Sequence, residues 1–149
     1  MTKSVLLAHP TGNTFVRAAS QAFLHAGCLH GLHTSLGWVN RPWLSASLQR
    51  RAYQLPPALL HRHRAPLELA RLLATRLGWR QWLVHETGAL SVDRLYRSFD
   101  QAVADWLERS CRGQHPPSAV MAYEDGALAT FQAASTFGLR KVYELPIGH

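Results

Sequence analysis

Two short stretches carry residue types whose spacing could do chemistry. His9-Pro10-Thr11-Gly12-Asn13 follows the apolar run Ser4–Ala8, and Glu124-Asp125-Gly126 follows Ala119–Tyr123. A glycine lets the backbone approach a ligand closely. A helix start beside it offers N–H groups to an anion or a sugar hydroxyl. A carboxylate at a strand end can orient a hydroxyl or accept its proton. Each stretch also has a purely structural reading. Gly12 can serve a tight turn only, and Asp125 can cap the helix that follows. Capping does not need Glu124, which tilts that pair toward function. Gly37-Trp38 and Ile147-Gly148-His149 end two further apolar runs with a glycine beside an aromatic or polar residue.

Other groupings point to less. His61-Arg62-His63, read as helix, sends its two imidazoles to different faces, so no metal site is expected there. His85-Glu86-Thr87-Gly88 is not H-E-x-x-H and reads as a surface loop. One glycine at residue 12 is not G-x-G-x-x-G, and there is no G-x-x-x-x-G-K-[ST], so neither a dinucleotide fingerprint nor a P-loop is present. Cys28 and Cys111 have no metal or redox spacing and read as small buried thiols in a reduced, cytosolic compartment.

The elements that must position these residues follow from periodicity and punctuation. Val5–Ala8 reads as a buried strand ended by Pro10 and Gly12. Asn13 or Thr14 can cap a helix with Phe15, Ala18, Ala19, Ala22, Phe23 and Ala26 on one stripe, stopped by Gly27. Leu32–Leu36 is a second strand, which completes a parallel βαβ unit. From Asn40 to Pro66 the chain is rich in Arg, His and Pro and poor in strand signal, so the middle is expected to be mostly helical. Pro66–Leu77 looks helical, with Leu69, Ala70, Leu73 and Leu77 on one side. Ser91 caps the strongest helix, whose stripe is Val92, Leu95, Tyr96, Phe99, Val103, Trp106 and Leu107. A second βαβ unit closes the chain: strand Ala119–Tyr123, helix Ala127–Phe137 with Leu128, Phe131 and Ala134 inward, and strand Lys141–Leu145. The fold class is therefore α/β, a Rossmann-like parallel sheet flanked by helices with a helical middle segment. In such sheets ligands bind outside the carboxyl ends of the strands, so His9, Gly12, Asn13, Glu124, Asp125, Gly126, Gly148 and His149 should gather along one edge.

Composition sets the bounds. The chain has 149 residues, 47% hydrophobic and 17% charged, which suits one folded domain and not a disordered chain. Sixteen Lys and Arg against 9 Asp and Glu leave a formal charge of +7. That excess favours an anionic partner, whether a phosphorylated ligand, a membrane surface or nucleic acid. The basic residues are scattered as singles and pairs, so no polybasic block chooses among them. The run before His9 is too short for a signal peptide or a membrane span.

Taken together, "LLAHPTGNTFVRAA", "HETGALSVDRLYRSFD" and "AYEDGALATFQAASTFGLRKVYELPIGH" resemble the N-terminal half of bacterial family 4 glycosyltransferases. The resemblance spans nearly the whole chain with the motifs in order. The "YEDGAL" segment followed by "YELPIGH" is the most specific part; Arg41–Leu83 matches only in character. It implies one half of a two-Rossmann-domain enzyme, with residues 1–149 forming the acceptor-side domain. The donor-binding C-terminal domain, which usually carries paired glutamates and a basic residue for the diphosphate, is expected to lie beyond His149. Retaining transfer of a sugar from a nucleotide-sugar to an acceptor hydroxyl is implied, with no metal and no cofactor. Gly12 and Asn13 would be glycine-loop contacts; Glu124 and Asp125 stand where related enzymes often carry a histidine or an acid. The implied partners are a nucleotide-sugar, a carbohydrate or lipid-linked acceptor and the missing domain. The implied place is the cytoplasm, with the inner membrane surface as an option. The piece alone should be inactive, because the leaving diphosphate lacks its electrostatic partners.

Two other functions compete. One is a stand-alone Rossmann-like module for a nucleotide or phosphorylated ligand. The other is a basic nucleic-acid-binding domain, which lacks aromatic residues on a basic strand face and any helix-turn-helix signal and ranks last.

Overall fold

The computed structural model describes residues 3–43, 46–123 and 126–144. Its strands and helices run, in chain order, β1 (Val5–Ala8), α1 (Thr14–His25), β2 (Leu29–Thr34), β3 (Trp38–Val39), α2 (Ala46–Gln49), β4 (Ala52–Tyr53), β5 (Leu60–Arg62), α3 (Ala65–Arg76), α4 (Val92–Cys111), β6 (Ala119–Tyr123), α5 (Leu128–Thr136) and β7 (Arg140–Glu144). Five strands form one parallel sheet in the order β5-β2-β1-β6-β7. This is an α/β, Rossmann-like architecture, and the four strands expected from the sequence all run the same way.

Side chains of β1 alternate between two cores. Leu6 and Ala8 join Phe99, Val103 and Leu107 of α4, Val120 and Ala122 of β6, and Ala133 and Ala134 of α5. Leu7 joins Val16 of α1, Leu32, Tyr53, Leu60 and Tyr123 on the opposite face. A strand covered on both faces explains why β1 reads as a continuous apolar run.

The middle of the chain departs from expectation. α3 and α4 are helical, but β3 and β4 pair in a two-residue ladder and β5 joins the main sheet beside β2. β5 has three residues, too few for alternation to show. Pairing Leu32↔Leu60, His33↔His61 and Thr34↔Arg62 creates it, and that contact is invisible to any local window. His61 is therefore on a strand and not a helix, so His61 and His63 share a face instead of diverging. β2 also begins earlier than expected, at Leu29, and ends at Thr34.

Three helical faces are turned from their expected positions. α1 buries Val16 and Ser20 and leaves Phe15 71% exposed. The run of alanines at 18, 19 and 22 offers little area to fix its rotation, and the single valine takes the inward place. α5 likewise turns Leu128 out and Thr130 in. α3 buries Glu68 and Ala74 and leaves Leu69, Leu73 and Leu77 exposed. Glu68 is fully covered, with its carboxylate 2.5 Å from Arg51 Nη2 and 2.8 Å from Arg71 Nε. Arg71 makes a second bond through Nη2, so the buried charge is paired and multiply hydrogen-bonded.

Candidate functional site

The strand order places the site. The chain fills the sheet outward from β1 through β2 to β5, then returns to fill the other side with β6 and β7. The direction reverses between β1 and β6, and the crevice at such a switch point is where open α/β sheets bind ligands. β1 and β6 pair in register from Val5↔Ala119 to Ala8↔Ala122, so the loops after Ala8 and Tyr123 leave the sheet side by side. Gly126 adjoins Pro10, whose ring a Cβ at Gly126 would meet at 3.9 Å. His9, Gly12, Asn13 and Gly126 thus share one sheet edge. Glu124, Asp125, Gly148 and His149 lie outside the described residues.

The β1–α1 loop is organised around His9. Its Nδ1 accepts hydrogen bonds from Thr11 N (3.2 Å) and Gly12 N (2.7 Å). An Nδ1 that accepts leaves the proton on Nε2. Burial pushes the ring's pKa down to about 4, so it is neutral near neutral pH. Tyr123 meets the ring edge-on at 4.7 Å. Pro10 O receives Ser35 N (2.8 Å) and the Thr34 hydroxyl (3.3 Å), which ties the loop to the end of β2. His9 Nε2–H has no hydrogen-bond partner among the described residues and remains as a neutral donor.

This geometry revises the anion-site expectation. The amides of Thr11 and Gly12 turn back onto His9 and do not form an open phosphate cradle. Asn13 is the cap of α1, its Oδ1 accepting from Val16 N at 2.9 Å, which commits that oxygen. Gly12 has φ +67, and a Cβ there would lie 1.9 Å from Tyr53 Oη. Gly37 closes on the same ring from another direction, at 2.8 Å from Tyr53 Cε2. Tyr53, only 1% exposed, is wedged between the two glycine loops. Its hydroxyl makes no hydrogen bond of good geometry among the described residues; the nearest polar group is the Thr34 hydroxyl, which donates to Pro10 O and meets Tyr53 only as a weak acceptor. No sequence signal marked Tyr53, since it belongs to a two-residue strand.

At the start of α5 the N-cap is Ala127, which makes no side-chain cap bond. The cap comes from the neighbouring helix: Asp100 of α4 accepts from Ala129 N (2.7 Å), Thr130 N (2.9 Å) and the Thr130 hydroxyl (2.6 Å). A buried carboxylate held by a helix start satisfies two of the orphan amides of α5. His85-Glu86 is a turn anchored on Asp93, which receives Glu86 N at 2.9 Å and His85 Nε2 at 3.2 Å, in keeping with a surface loop.

A second group of side chains escaped sequence reasoning. His33 stacks on His61 (4.6 Å) and on His63 (5.0 Å), with Trp106 edge-on at 4.4 Å. His33 Nδ1 lies 2.8 Å from His63 Nε2, while His33 Nε2 is buried with no hydrogen-bond partner among the described residues. Donation from His33 Nδ1 leaves only a bare lone pair buried. The reverse tautomer would bury an orphan N–H, which costs more. Burial pushes both rings down, His63 to about 4. Their nitrogens do not converge, and among the described residues no group of three or more His, Cys, Asp or Glu could hold a metal ion. The signal was present as H-x-H, a same-face pair in a strand, but the strand itself was not legible.

The parallel sheet, its strand order and its flanking helices define a Rossmann-like α/β protein. Beyond that class, no family model, curated protein or solved structure matches this chain. Among the described residues no helix is long and apolar enough to cross a membrane.

Proposed function

We propose that this chain is the acceptor-side domain of a two-domain glycosyltransferase, transferring a sugar from a nucleotide-sugar to an acceptor hydroxyl in the cytoplasm. The observation that carries the reading is His9. It stands at the switch point of the sheet as a neutral imidazole whose Nδ1 is committed to its own loop and whose Nε2–H has no hydrogen-bond partner among the described residues. A neutral donor suits an uncharged hydroxyl better than a phosphate. The inward-turned amides of Thr11 and Gly12 disfavour the stand-alone phosphate-binding module for the same reason. The resemblance of "YEDGAL" and "YELPIGH" to family 4 enzymes supplies the reaction class. Glu124 is the acid proposed to orient the acceptor hydroxyl or accept its proton, with Asp125 beside it proposed to assist.

The test begins with the reading frame beyond codon 149, which should encode a second βα-rich domain with paired glutamates. Assayed for sugar transfer, that longer protein should lose about two to four orders of magnitude in turnover on Glu124→Gln, the usual contribution of a general base. A frame that ends without such a domain, or a folded Glu124→Gln enzyme with wild-type turnover, overturns the proposal or the role of Glu124 respectively.

A further inference from the structure

The outward face of α3 has no counterpart in the candidate site. At about 100° per residue, Leu72, Arg76, Leu69, Leu73 and Leu77 fall within about 140° of one another, opposite the buried Glu68 and Ala74. Leu69, Leu73 and Leu77 are each more than half exposed. The exposure continues past the helix: every residue from Thr75 to Trp82 is exposed, and Trp79, Trp82 and Val84 each show about half their surface. Beside the stripe lies a groove of about 1000 Å³, lined among others by Leu36, Trp38, Leu48, Leu73 and Arg76. Contiguous apolar surface of this kind marks an interaction site. The helix has put its charge inside, on Arg51 and Arg71, and its leucines outside, the reverse of what a free aqueous surface favours.

Charge selects the occupant. From Leu69 to Val84 the sequence has three arginines, Arg71, Arg76 and Arg80, and no acid. Arg71 is turned inward onto Glu68; Arg76 and Arg80 remain exposed. A second copy of the chain would set these arginines against each other in an apolar interface. A protein partner would have to supply a buried acid for Arg76, which lies within the leucine arc. A bilayer needs neither, because an arginine stem can lie along apolar surface while the guanidinium reaches the headgroups. Half-covered tryptophans beside leucine and arginine are the composition of interfacial helices.

We propose that α3 and the segment through Val84 form a docking surface for an anionic phospholipid bilayer, with Leu69, Leu73, Leu77, Trp79 and Trp82 entering the interface and Arg76 and Arg80 meeting the headgroups. The proposal stands on this surface alone and survives failure of the transferase reading. Vesicle flotation tests it, with pure phosphatidylcholine against an equal mixture with phosphatidylglycerol, at low and high salt. The protein should float with the mixed vesicles, weakly with the neutral ones, and less as salt rises. Arg76→Ala with Arg80→Ala should weaken binding about 25-fold, about fivefold per surface arginine. Leu69→Ala and Leu73→Ala should each weaken it about tenfold, since about half of each side chain is already covered. These residues are exposed, so the variants should keep the wild-type circular dichroism. Absence of binding to mixed vesicles at low salt overturns the proposal, as does binding indifferent to both sets of substitutions. A dimer in solution that dissociates on Leu73→Glu also overturns it and assigns the face to a second copy.

Discussion

Replacing Gly12 by alanine tests the packing that shapes the candidate site, because the cost has two separable parts. The first is backbone: φ at Gly12 is +67, and the left-handed conformation costs an L-residue about 1–2 kcal/mol. The second is steric. The new methyl would lie 1.9 Å from Tyr53 Oη, and the ring is held from the other side by Gly37, so it must be forced out at an overpacking cost of about 1–3 kcal/mol. Gly12→Ala should therefore destabilise by about 2–5 kcal/mol, the sum of those terms. Tyr53→Phe removes the colliding oxygen. The next atom, Cζ, stands at 3.1 Å from the ideal Cβ, which small shifts can absorb. Because Tyr53 Oη makes no hydrogen bond of good geometry among the described residues, Tyr53→Phe alone should be neutral or stabilising by about 1 kcal/mol, the cost of an orphaned buried hydroxyl being relieved. In the Tyr53→Phe background Gly12→Ala should cost only the backbone part. Urea unfolding of the four proteins gives the coupling from their midpoints, provided the slopes agree. A coupling near zero refutes the steric argument. A Tyr53→Phe variant that is itself strongly destabilised refutes the claim that the hydroxyl lacks a good hydrogen bond.

Acid should destabilise the fold through its buried imidazoles. His9 and His63 are pushed from 6.5 down to about 4, and His33 is pushed down as well. The unfolded chain therefore binds more protons below pH 6.5, and stability that is complete above that pH is lost progressively down to pH 4. Each fully depressed ring contributes up to about 1.4 kcal/mol per pH unit inside that window, and the more exposed His63 contributes less. Urea midpoints that stay flat between pH 7 and pH 5 would contradict this. Asp100→Ala should cost about 2–4 kcal/mol, since it strips a hydrogen-bonded charge from the Ala129 and Thr130 amides and leaves them buried; amide exchange should report α5 opening ahead of β1 and α4, and uniform exchange across the three elements would refute a local capping role.

Much of this protein is written in local sequence. The runs Val5–Ala8, Ala119–Tyr123 and Lys141–Glu144 are apolar or β-rich and bounded by turn residues, and the helix stops at Gly27 and Gly138 are of the type helices use. Asn13 and Ser91 cap helices by bonds that span three residues, and the α4 stripe from Leu95 to Leu107 carries its burial in its 3.6-residue period. Those features need only near neighbours, so a window of sequence contains their cause. The parallel sheet and the gathering of the β1 and β6 loops at one edge followed from them. What tertiary structure decided involves partners far apart in the chain. β5 exists because Leu60–Arg62 found Leu32–Thr34. That pairing alone turned H-x-H into a stacked cluster with His33. Asp100 caps a helix that begins 28 residues later, and Tyr53 fills the space that Gly12 and Gly37 leave. The rotation of α3 was likewise a global choice. Its period fixes which residues share a side, but period has no sign. Only the buried Arg51–Glu68–Arg71 network determined that the leucine side would face outward.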